Sequence, residues 1–100
     1  MKEKVVIITG GSSGMGKGMA TRFAKEGARV VITGRTKEKL EETKLEIEQF
    51  PGQVLPVQMD VRNTDDIQKM IEQIDEKFGR IDVLINNAAG NFICPAEDLS

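Results

Sequence analysis

Two kinds of apolar pattern alternate along this chain. Short runs rich in β-branched residues occupy positions 5–8, 29–33, 54–59 and 81–85, and each has the length of a buried strand. The longer segments between them repeat apolar residues every three or four positions, which is the spacing of a helix with one buried face. The order β-α-β-α-β-α-β is typical of an α/β doubly wound fold, in which helices cover both faces of a parallel sheet.

Residues that begin or end helices flank the three helical segments. Thr36 and Asn63 are predicted to cap the second and third helices, and Gly27 and Gly79 are predicted to end the first and third. Pro56 marks an irregular position in the third strand. In chain order, the predicted inner faces are formed by Met15, Met19, Phe23 and Ala24; by Leu40, Thr43 and Ile47; and by Ile67, Met70, Ile71, Ile74 and Phe78.

The turn between the first strand and the first helix is rich in glycine. Residues 9–16 read T-G-G-S-S-G-M-G, which differs from the common dinucleotide pattern G-x-G-x-x-G. A P-loop is also excluded, because Gly18 stands where a Ser or Thr should bind Mg²⁺. Glycine lets a backbone approach a phosphate closely, and a helix N-terminus offers free N–H groups. The turn therefore predicts a nucleotide site; the alternative is a turn needed only for tight packing.

Composition narrows the possible partners. The chain has 100 residues, a net charge of −2 and no basic tract, which argues against nucleic acid as a partner. It has no histidine and one cysteine, Cys94, which excludes histidine chemistry and an intrachain disulfide and suits a reducing compartment. The apolar runs are too short to span a bilayer. We expect a cytoplasmic protein without a metal site or a membrane partner.

Three motifs that follow predicted strands resemble the short-chain dehydrogenase/reductase family. They are the glycine turn at 9–16, the acidic residue Asp60 after the third strand, and the segment N-N-A-A-G at 86–90 after the fourth strand. Ala89 departs from the family pattern, which has glycine there. The resemblance implies a Rossmann-type sheet and a nicotinamide cofactor. The cofactor-binding residues that it implies are Gly10, Ser12, Ser13, Gly14, Met15, Gly16, Asp60, Val61, Asn87, Ala88 and Gly90.

The implied roles follow the chemistry of these residues. The glycines would line the pyrophosphate, and the two serines would donate to phosphate or ribose. Asp60 would accept from the adenine amino group, and Asn87 would line the ribose on the nicotinamide side. The alternatives are a loop or cap carboxylate for Asp60 and a plain turn for Asn86 and Asn87.

The end of the second strand bears on the choice between NAD and NADP. An enzyme that uses NAD usually carries an acidic residue there, whereas an arginine accommodates the 2′-phosphate of NADP. This strand is followed by Arg35 and then Thr36, with no acid. We therefore predict NADP(H), bound by Arg35 with help from Ser12 and Thr36; a solvated arginine is the alternative.

Residues 86–92, together with 60–62, resemble more narrowly the 2,4-dienoyl-CoA reductase branch of the family. That resemblance implies that Arg62, Phe92 and Ser100 contact an acyl-CoA substrate of fatty acid metabolism. The alternatives for them are a solvated arginine, a loop anchor and a helix cap. Other possible functions are a 3-oxoacyl-thioester reductase or a sugar dehydrogenase of the same family, or a non-catalytic nucleotide-binding module.

The family's proton donor is a tyrosine, usually followed four residues later by a lysine, and this sequence contains no tyrosine. We therefore assign no catalytic residue within it. Residues 1–100 are predicted to be the N-terminal cofactor-binding part of a single longer domain, inactive alone. The parent is expected to be an NADP-dependent reductase and, by resemblance, a homo-oligomer such as a tetramer.

Overall fold

Four strands and three helices alternate in the computed structural model, which describes residues 3–10, 14–60 and 62–87. In chain order they are β1 (Val5–Thr9), α1 (Gly14–Lys25), β2 (Arg29–Gly34), α2 (Lys37–Ile47), β3 (Gln53–Gln58), α3 (Thr64–Lys77) and β4 (Val83–Asn86). The predicted alternation of strands and helices is confirmed.

The strands form one sheet in the order β3-β2-β1-β4, and all three neighbouring pairs are parallel. In the register, Thr9 of β1 lies opposite Thr33 of β2 and Asn86 of β4. The carboxyl ends of the strands therefore meet at one edge of the sheet. β3 lies at the side of the described sheet, where a strand tolerates a residue without an N–H, such as Pro56.

Side chains of β1 alternate between two apolar cores. Val6 and Ile8 pack in a cluster with residues of α1 and α2, whereas Val5 and Ile7 pack in a second cluster with residues of α3. All four side chains are fully buried. Helices thus cover both faces of the sheet, which confirms the predicted doubly wound arrangement.

The predicted inner face of α1 is wrong at its first residue. Met15 is 75% exposed, whereas Met19 and Phe23 are half-buried against the core. The fully buried residues of α1 are Gly16, Ala20 and Ala24. The helix lies so close to the sheet that only small residues fit on the line that faces it, and Met15 is turned away from that line.

The predicted inner faces of α2 and α3 are confirmed. Leu40, Thr43 and Ile47 are buried in α2, and Met70 and Ile74 are buried in α3. The remaining predicted residues of α3 pack half-buried against the same core; they are Ile67, Ile71 and Phe78.

The residues predicted to cap and end the helices lie beside the helix ends, but only one of the two predicted N-cap side chains makes a capping hydrogen bond within the described ranges. The Asn63 side chain caps α3 by accepting from the backbone N–H groups of Asp65 and Asp66, at 2.9 and 3.2 Å. Gly27 and Gly79 have positive φ angles of 86° and 73°, as helix ends with glycine often do. Thr36 is the N-cap residue of α2, but in the described part of the chain its hydroxyl makes no capping hydrogen bond.

All four strands differ from the prediction at one or both ends: β1 and β2 each end one residue later, and β4 ends at Asn86 rather than at position 85. β3 begins and ends one residue earlier than 54–59, and β4 begins at Val83 rather than at position 81. Asp82 explains why β4 begins at Val83 rather than at position 81. Its N–H donates to the Val5 carbonyl at 2.9 Å, and its carboxylate accepts the Val5 N–H at 2.8 Å. The side chain of Asp82 thus replaces the next backbone hydrogen bond between β1 and β4.

Within the described ranges no helix has both the length and the apolar character that a membrane crossing requires.

Candidate cofactor site

Four of the predicted cofactor residues lie at the carboxyl edge of the sheet. Residues that follow each of the four strands meet there: Gly10 after β1, Arg35 after β2, Asp60 after β3 and Asn87 after β4. In open α/β sheets, ligands bind outside the carboxyl ends of the strands where the strand order reverses, which here is between β1 and β4.

The glycine turn depends on backbone conformations that other residues rarely adopt. Gly10 has a φ of 70° and Gly14 a φ of 43°, both in the left-handed region. The Gly10 N–H donates to the Thr33 carbonyl at 2.9 Å, which ties the turn to β2. A Cβ on Gly14 would have no described heavy atom within 4 Å. The open space beside Gly14 is compatible with a ligand that lies against the turn.

Gly16 lacks such space. A Cβ on Gly16 would overlap the carbonyl oxygen of Gly10 and lie 2.6 Å from Nδ2 of Asn87. Glycine at this position therefore lets the start of α1 pack against both the β1 turn and the residue after β4. Of the two readings of the turn, tight packing accounts for Gly16, while Gly14 remains open to a ligand.

Thr9, which is not among the predicted site residues, joins the end of β1 to the residue after β4. Its buried hydroxyl accepts the Asn87 N–H at 2.9 Å and lies 3.1 Å from Oδ1 of Asn86. The Asn87 side-chain amide in turn donates to the Gly10 carbonyl at 3.4 Å. A polar residue at the last position of an otherwise apolar buried strand was the signal available in the sequence. Thr9 thus holds Asn87 beside Gly10 at the start of the glycine turn.

Arg35 supplies positive charge after β2. It is exposed, and no ion pair to its guanidinium forms among residues 3–10, 14–60 and 62–87. Its backbone is tied to β3, because Gln58 donates a side-chain N–H to its carbonyl at 3.2 Å. Thr36 follows, and its hydroxyl makes no capping hydrogen bond within the described ranges. The corner after β2 therefore combines an uncommitted guanidinium with a hydroxyl, a pair of groups suited to a phosphate.

Asp60 and Arg62 form a close ion pair after β3. The Arg62 Nε donates to Oδ1 of Asp60 at 3.1 Å, its Nη2 donates to Oδ2 at 3.0 Å, and its backbone N–H donates to Oδ1 at 2.9 Å. These hydrogen bonds to Arg62 are the main reason that the pKa of Asp60 falls to about 2, with a smaller contribution from the charge of Arg35. Asp60 is therefore ionised at neutral pH. The predictions assigned these two residues to different ligands, and the structure places them in contact.

Several predicted site residues fall outside the part of the chain that the structure describes. They are Ser12, Ser13, Val61, Ala88, Gly90, Phe92 and Ser100. Met15 lies within it, exposed in the first turn of α1.

The described residues fit a dinucleotide. The turn provides left-handed glycines at the start of a helix, which is the arrangement that holds a pyrophosphate. On the β2 and β3 side of the turn, Arg35 offers donors to a phosphate and ionised Asp60 offers an acceptor to an adenine amino group.

The family model described as short chain dehydrogenase matches residues 4–100. A probable 2,4-dienoyl-CoA reductase, (2E)-enoyl-CoA-producing, from Bacillus subtilis (strain 168) is 60% identical over 100 residues, covering 100% of this chain and 39% of the relative.

Solved structures match as well. The crystal structure of a short chain dehydrogenase from Bacillus anthracis str. 'Ames Ancestor' is 96% identical with a TM-score of 0.85, over 99% of this chain and 40% of that one. L-sorbose reductase from Gluconobacter frateurii, complexed with NADPH and L-sorbose, is 38% identical with a TM-score of 0.85, over 90% of this chain and 35% of that one. The chain thus spans about two fifths of the length of the two Bacillus proteins.

Proposed function

The chain belongs to the short chain dehydrogenase family, and from this premise we propose that it is the N-terminal, cofactor-binding part of an NADP-dependent oxidoreductase that reduces 2,4-dienoyl-CoA. The proposed division of labour is that residues 1–100 hold the cofactor, while a later segment supplies the catalytic tyrosine. The absence of tyrosine from the sequence supports this division, as does the greater length of the relatives.

The observation that carries the NADP proposal is the exposed Arg35 at the end of β2. No described carboxylate forms an ion pair with its guanidinium, and neither β2 nor the two residues after it include an acidic residue that could accept from a ribose 2′-hydroxyl. A guanidinium can form two parallel hydrogen bonds with a phosphate, and the Thr36 hydroxyl can add a third. The same corner would bind NADH less well, because the arginine would then lack its anionic partner.

The proposed roles of the other residues follow from their places along the carboxyl edge. Gly10, Gly14 and the first turn of α1 would hold the pyrophosphate, and ionised Asp60 would accept from the adenine amino group. Thr9 acts indirectly by keeping Asn87 beside the turn, where Asn87 would line the nicotinamide ribose. Five residues outside the described ranges are also proposed to contact the cofactor: Ser12, Ser13, Val61, Ala88 and Gly90. Met15 is proposed to contact the cofactor from its exposed place in α1.

When bound, the nicotinamide supplies the hydride for the reduction. What this part of the chain contributes is binding and orientation, because preorganised donors at a helix N-terminus hold the cofactor in one pose. Proton transfer is proposed to fall to the later segment.

The substrate proposal rests on the Bacillus subtilis relative, whose name gives 2,4-dienoyl-CoA as its substrate and which is 60% identical to this chain. Arg62, Phe92 and Ser100 are proposed to contact the acyl-CoA. Arg62 suits this role because its side chain is 68% exposed at the carboxyl edge. A sugar is the second candidate, favoured by the similarity to an L-sorbose reductase. A 3-oxoacyl thioester is a further alternative.

The test is a substrate and cofactor survey with the purified full-length protein. NADPH and NADH are titrated first, and the protein is then assayed with a 2,4-dienoyl-CoA, a 3-oxoacyl-CoA and free sugars under one condition. We expect tighter binding of NADPH and its oxidation with the dienoyl-CoA. Turnover of sugars without any response to CoA esters would contradict the substrate proposal alone. Failure to bind either nucleotide would contradict the whole proposal, whereas binding without turnover of any compound would favour a non-catalytic module.

A cytoplasmic location and a homo-tetrameric parent complete the proposal. The first is supported by the single cysteine and the second by resemblance to the family. Fractionation and sedimentation of the full-length protein test them.

A further inference from the structure

Asp60 accepts three hydrogen bonds from Arg62, two from the side chain and one from the backbone. Both carboxylate oxygens accept from the guanidinium, at 3.0 and 3.1 Å, and Oδ1 also accepts the Arg62 backbone N–H at 2.9 Å. An arginine side chain free in solvent samples many rotamers, and a two-pronged contact of this kind selects one of them. Arg62 is therefore held in place even though its side chain is 68% exposed.

The restraint is itself anchored to α3. The Asp60 N–H donates to Oδ2 of Asp66 at 3.1 Å, and the Asp66 N–H donates to the Asn63 side chain at 3.2 Å. The Asn63 N–H in turn donates to the Asp60 carbonyl at 2.9 Å. The turn after β3 is thus closed on itself by short-range hydrogen bonds, and Asp60 is a fixed point from which Arg62 extends.

The pair leaves binding capacity on both partners. A guanidinium has five N–H donors, of which Asp60 takes two, so that three remain for another anion. A carboxylate has about four acceptor sites, of which Arg62 fills three, so that one remains for a further donor. The Asp60–Arg62 pair can therefore bind a hydrogen-bond donor through Asp60 and an anion through Arg62.

We propose that Asp60 is a positioning residue for Arg62, and that through this pair the adenine end of the cofactor site is coupled to a site for the phosphate groups of an acyl-CoA. The inference rests on the proposed function. Asp60 holds Arg62 in the conformation that meets the CoA phosphates, so that the loss of Asp60 weakens substrate binding through Arg62. Coupling between two binding sites is reciprocal, so bound cofactor and bound CoA ester change each other's affinity by the same factor.

The test uses the full-length enzyme at saturating NADPH, with the variants Asp60→Asn and Arg62→Ala and the double variant. Asparagine keeps the size of Asp60 but replaces one accepting oxygen with an NH₂ group, which cannot accept from Arg62. KM and kcat are measured with a 2,4-dienoyl-CoA and with the matching N-acetylcysteamine thioester, which has no phosphate. NADPH affinity is titrated separately.

We expect Arg62→Ala to raise KM for the CoA ester about three- to tenfold, the range for one lost hydrogen-bonded contact, with kcat unchanged. Asp60→Asn should raise the same KM by a similar factor, and the double variant should show no further rise. The thioester without phosphates should keep its KM in all three. NADPH should bind more weakly to Asp60→Asn, with or without Arg62.

Arg80 provides the matched control, because it pairs with Asp82 two residues later at the opposite edge of the sheet, with Nη2 2.6 Å from Oδ1. Arg80→Ala removes the same kind of ion pair and should leave KM for the CoA ester unchanged. Thermal melting of every variant identifies any loss of the fold.

The positioning role would be overturned if Asp60→Asn left KM for the CoA ester at its original value, or if the effects of Asp60→Asn and Arg62→Ala multiplied in the double variant. Either result would leave the proposed function intact. If the unmodified enzyme bound NADPH but reduced no CoA ester, the substrate proposal would fail and this inference would fail with it.

Discussion

The backbone N–H of Asn87 donates to the hydroxyl of Thr9 at 2.9 Å, across 78 positions of sequence. The bond joins the end of β1 to the residue after β4. Thr33 lies opposite Thr9 in the register of β1 and β2, equally buried, yet its hydroxyl has no hydrogen-bond partner in the described part of the chain. Of these two neighbouring threonines, Thr9 thus uses its hydroxyl to bind another strand's end, whereas Thr33 has no such bond within the described ranges.

Replacing these two threonines with valine should have opposite effects on stability. Thr9→Val removes the acceptor of the Asn87 N–H and should lower the free energy of unfolding by about 1–3 kcal/mol and weaken NADPH binding. Thr33→Val removes a buried hydroxyl that has no partner, so it should leave stability unchanged or raise it by up to about 1 kcal/mol. Urea unfolding of both variants measures the difference. Equal losses in the two would show that the Asn87 bond contributes nothing.

Two glycines of α1 should respond oppositely to alanine. Gly16→Ala places a Cβ against the Gly10 carbonyl and 2.6 Å from the Asn87 amide, so it should destabilise the protein and disturb the cofactor turn. A Cβ on Gly18 meets no described atom within 4 Å, so Gly18→Ala should stabilise the helix by about 0.5–1 kcal/mol. Thermal melting and NADPH titration of both variants provide the check. A Gly16→Ala protein as stable as the Gly18→Ala protein would contradict the close packing of α1 on the turn.

Arg35→Asp should reverse the cofactor preference. It removes the guanidinium proposed to meet the 2′-phosphate and introduces an acceptor for a ribose hydroxyl, so NADPH affinity should fall by about 1–3 kcal/mol while NADH affinity rises. The dissociation constants of both nucleotides measure this. Arg22→Asp is the control, because it makes the same charge change at an exposed position in the last turn of α1. If both variants shifted the preference equally, the effect would come from net charge rather than from a contact of Arg35.

Asp82 should make the stability depend on pH in the acid range. The hydrogen bond from Arg80, followed by that from the Val5 N–H, lowers the pKa of Asp82 below its ordinary value of 3.8. A carboxyl whose pKa is lower in the folded state adds stability above its unfolded pKa and loses it as pH falls through the folded pKa. Asp82→Asn should therefore cost about 1–2 kcal/mol at neutral pH.

The cost of Asp82→Asn should shrink below about pH 4, where the unfolded carboxyl becomes protonated. Urea unfolding between neutral pH and pH 3 follows this change. Asp75→Asn, which makes the same exchange at an exposed position of α3, is the matched control. A difference between Asp82→Asn and the unmodified protein that stayed constant down to low pH would rule out the ionised carboxylate as its source.

The sequence by itself determined the order of the elements and the family, and it predicted where the cofactor site lies. These depend on local signals: apolar runs of strand length, helical spacing, and a cap such as Asn63, whose predicted bonds to the start of α3 are present. Such signals can be identified within a few neighbouring positions, because they follow from backbone geometry and from the periods of strands and helices.

The contacts between distant segments were decided by the tertiary structure alone. Only the placement of β4 beside β1 brings Asn87 to Thr9 and makes Gly16 a packing requirement. Met15 shows the limit of helical spacing, which places a residue on a helix but does not tell how closely that helix approaches the sheet. The Asp60–Arg62 pair lies within one turn, yet it depends on the side-chain conformations that the fold around β3 and α3 imposes. Residue types restrict which contacts are possible, and the positions of the strands and helices select the contacts that form.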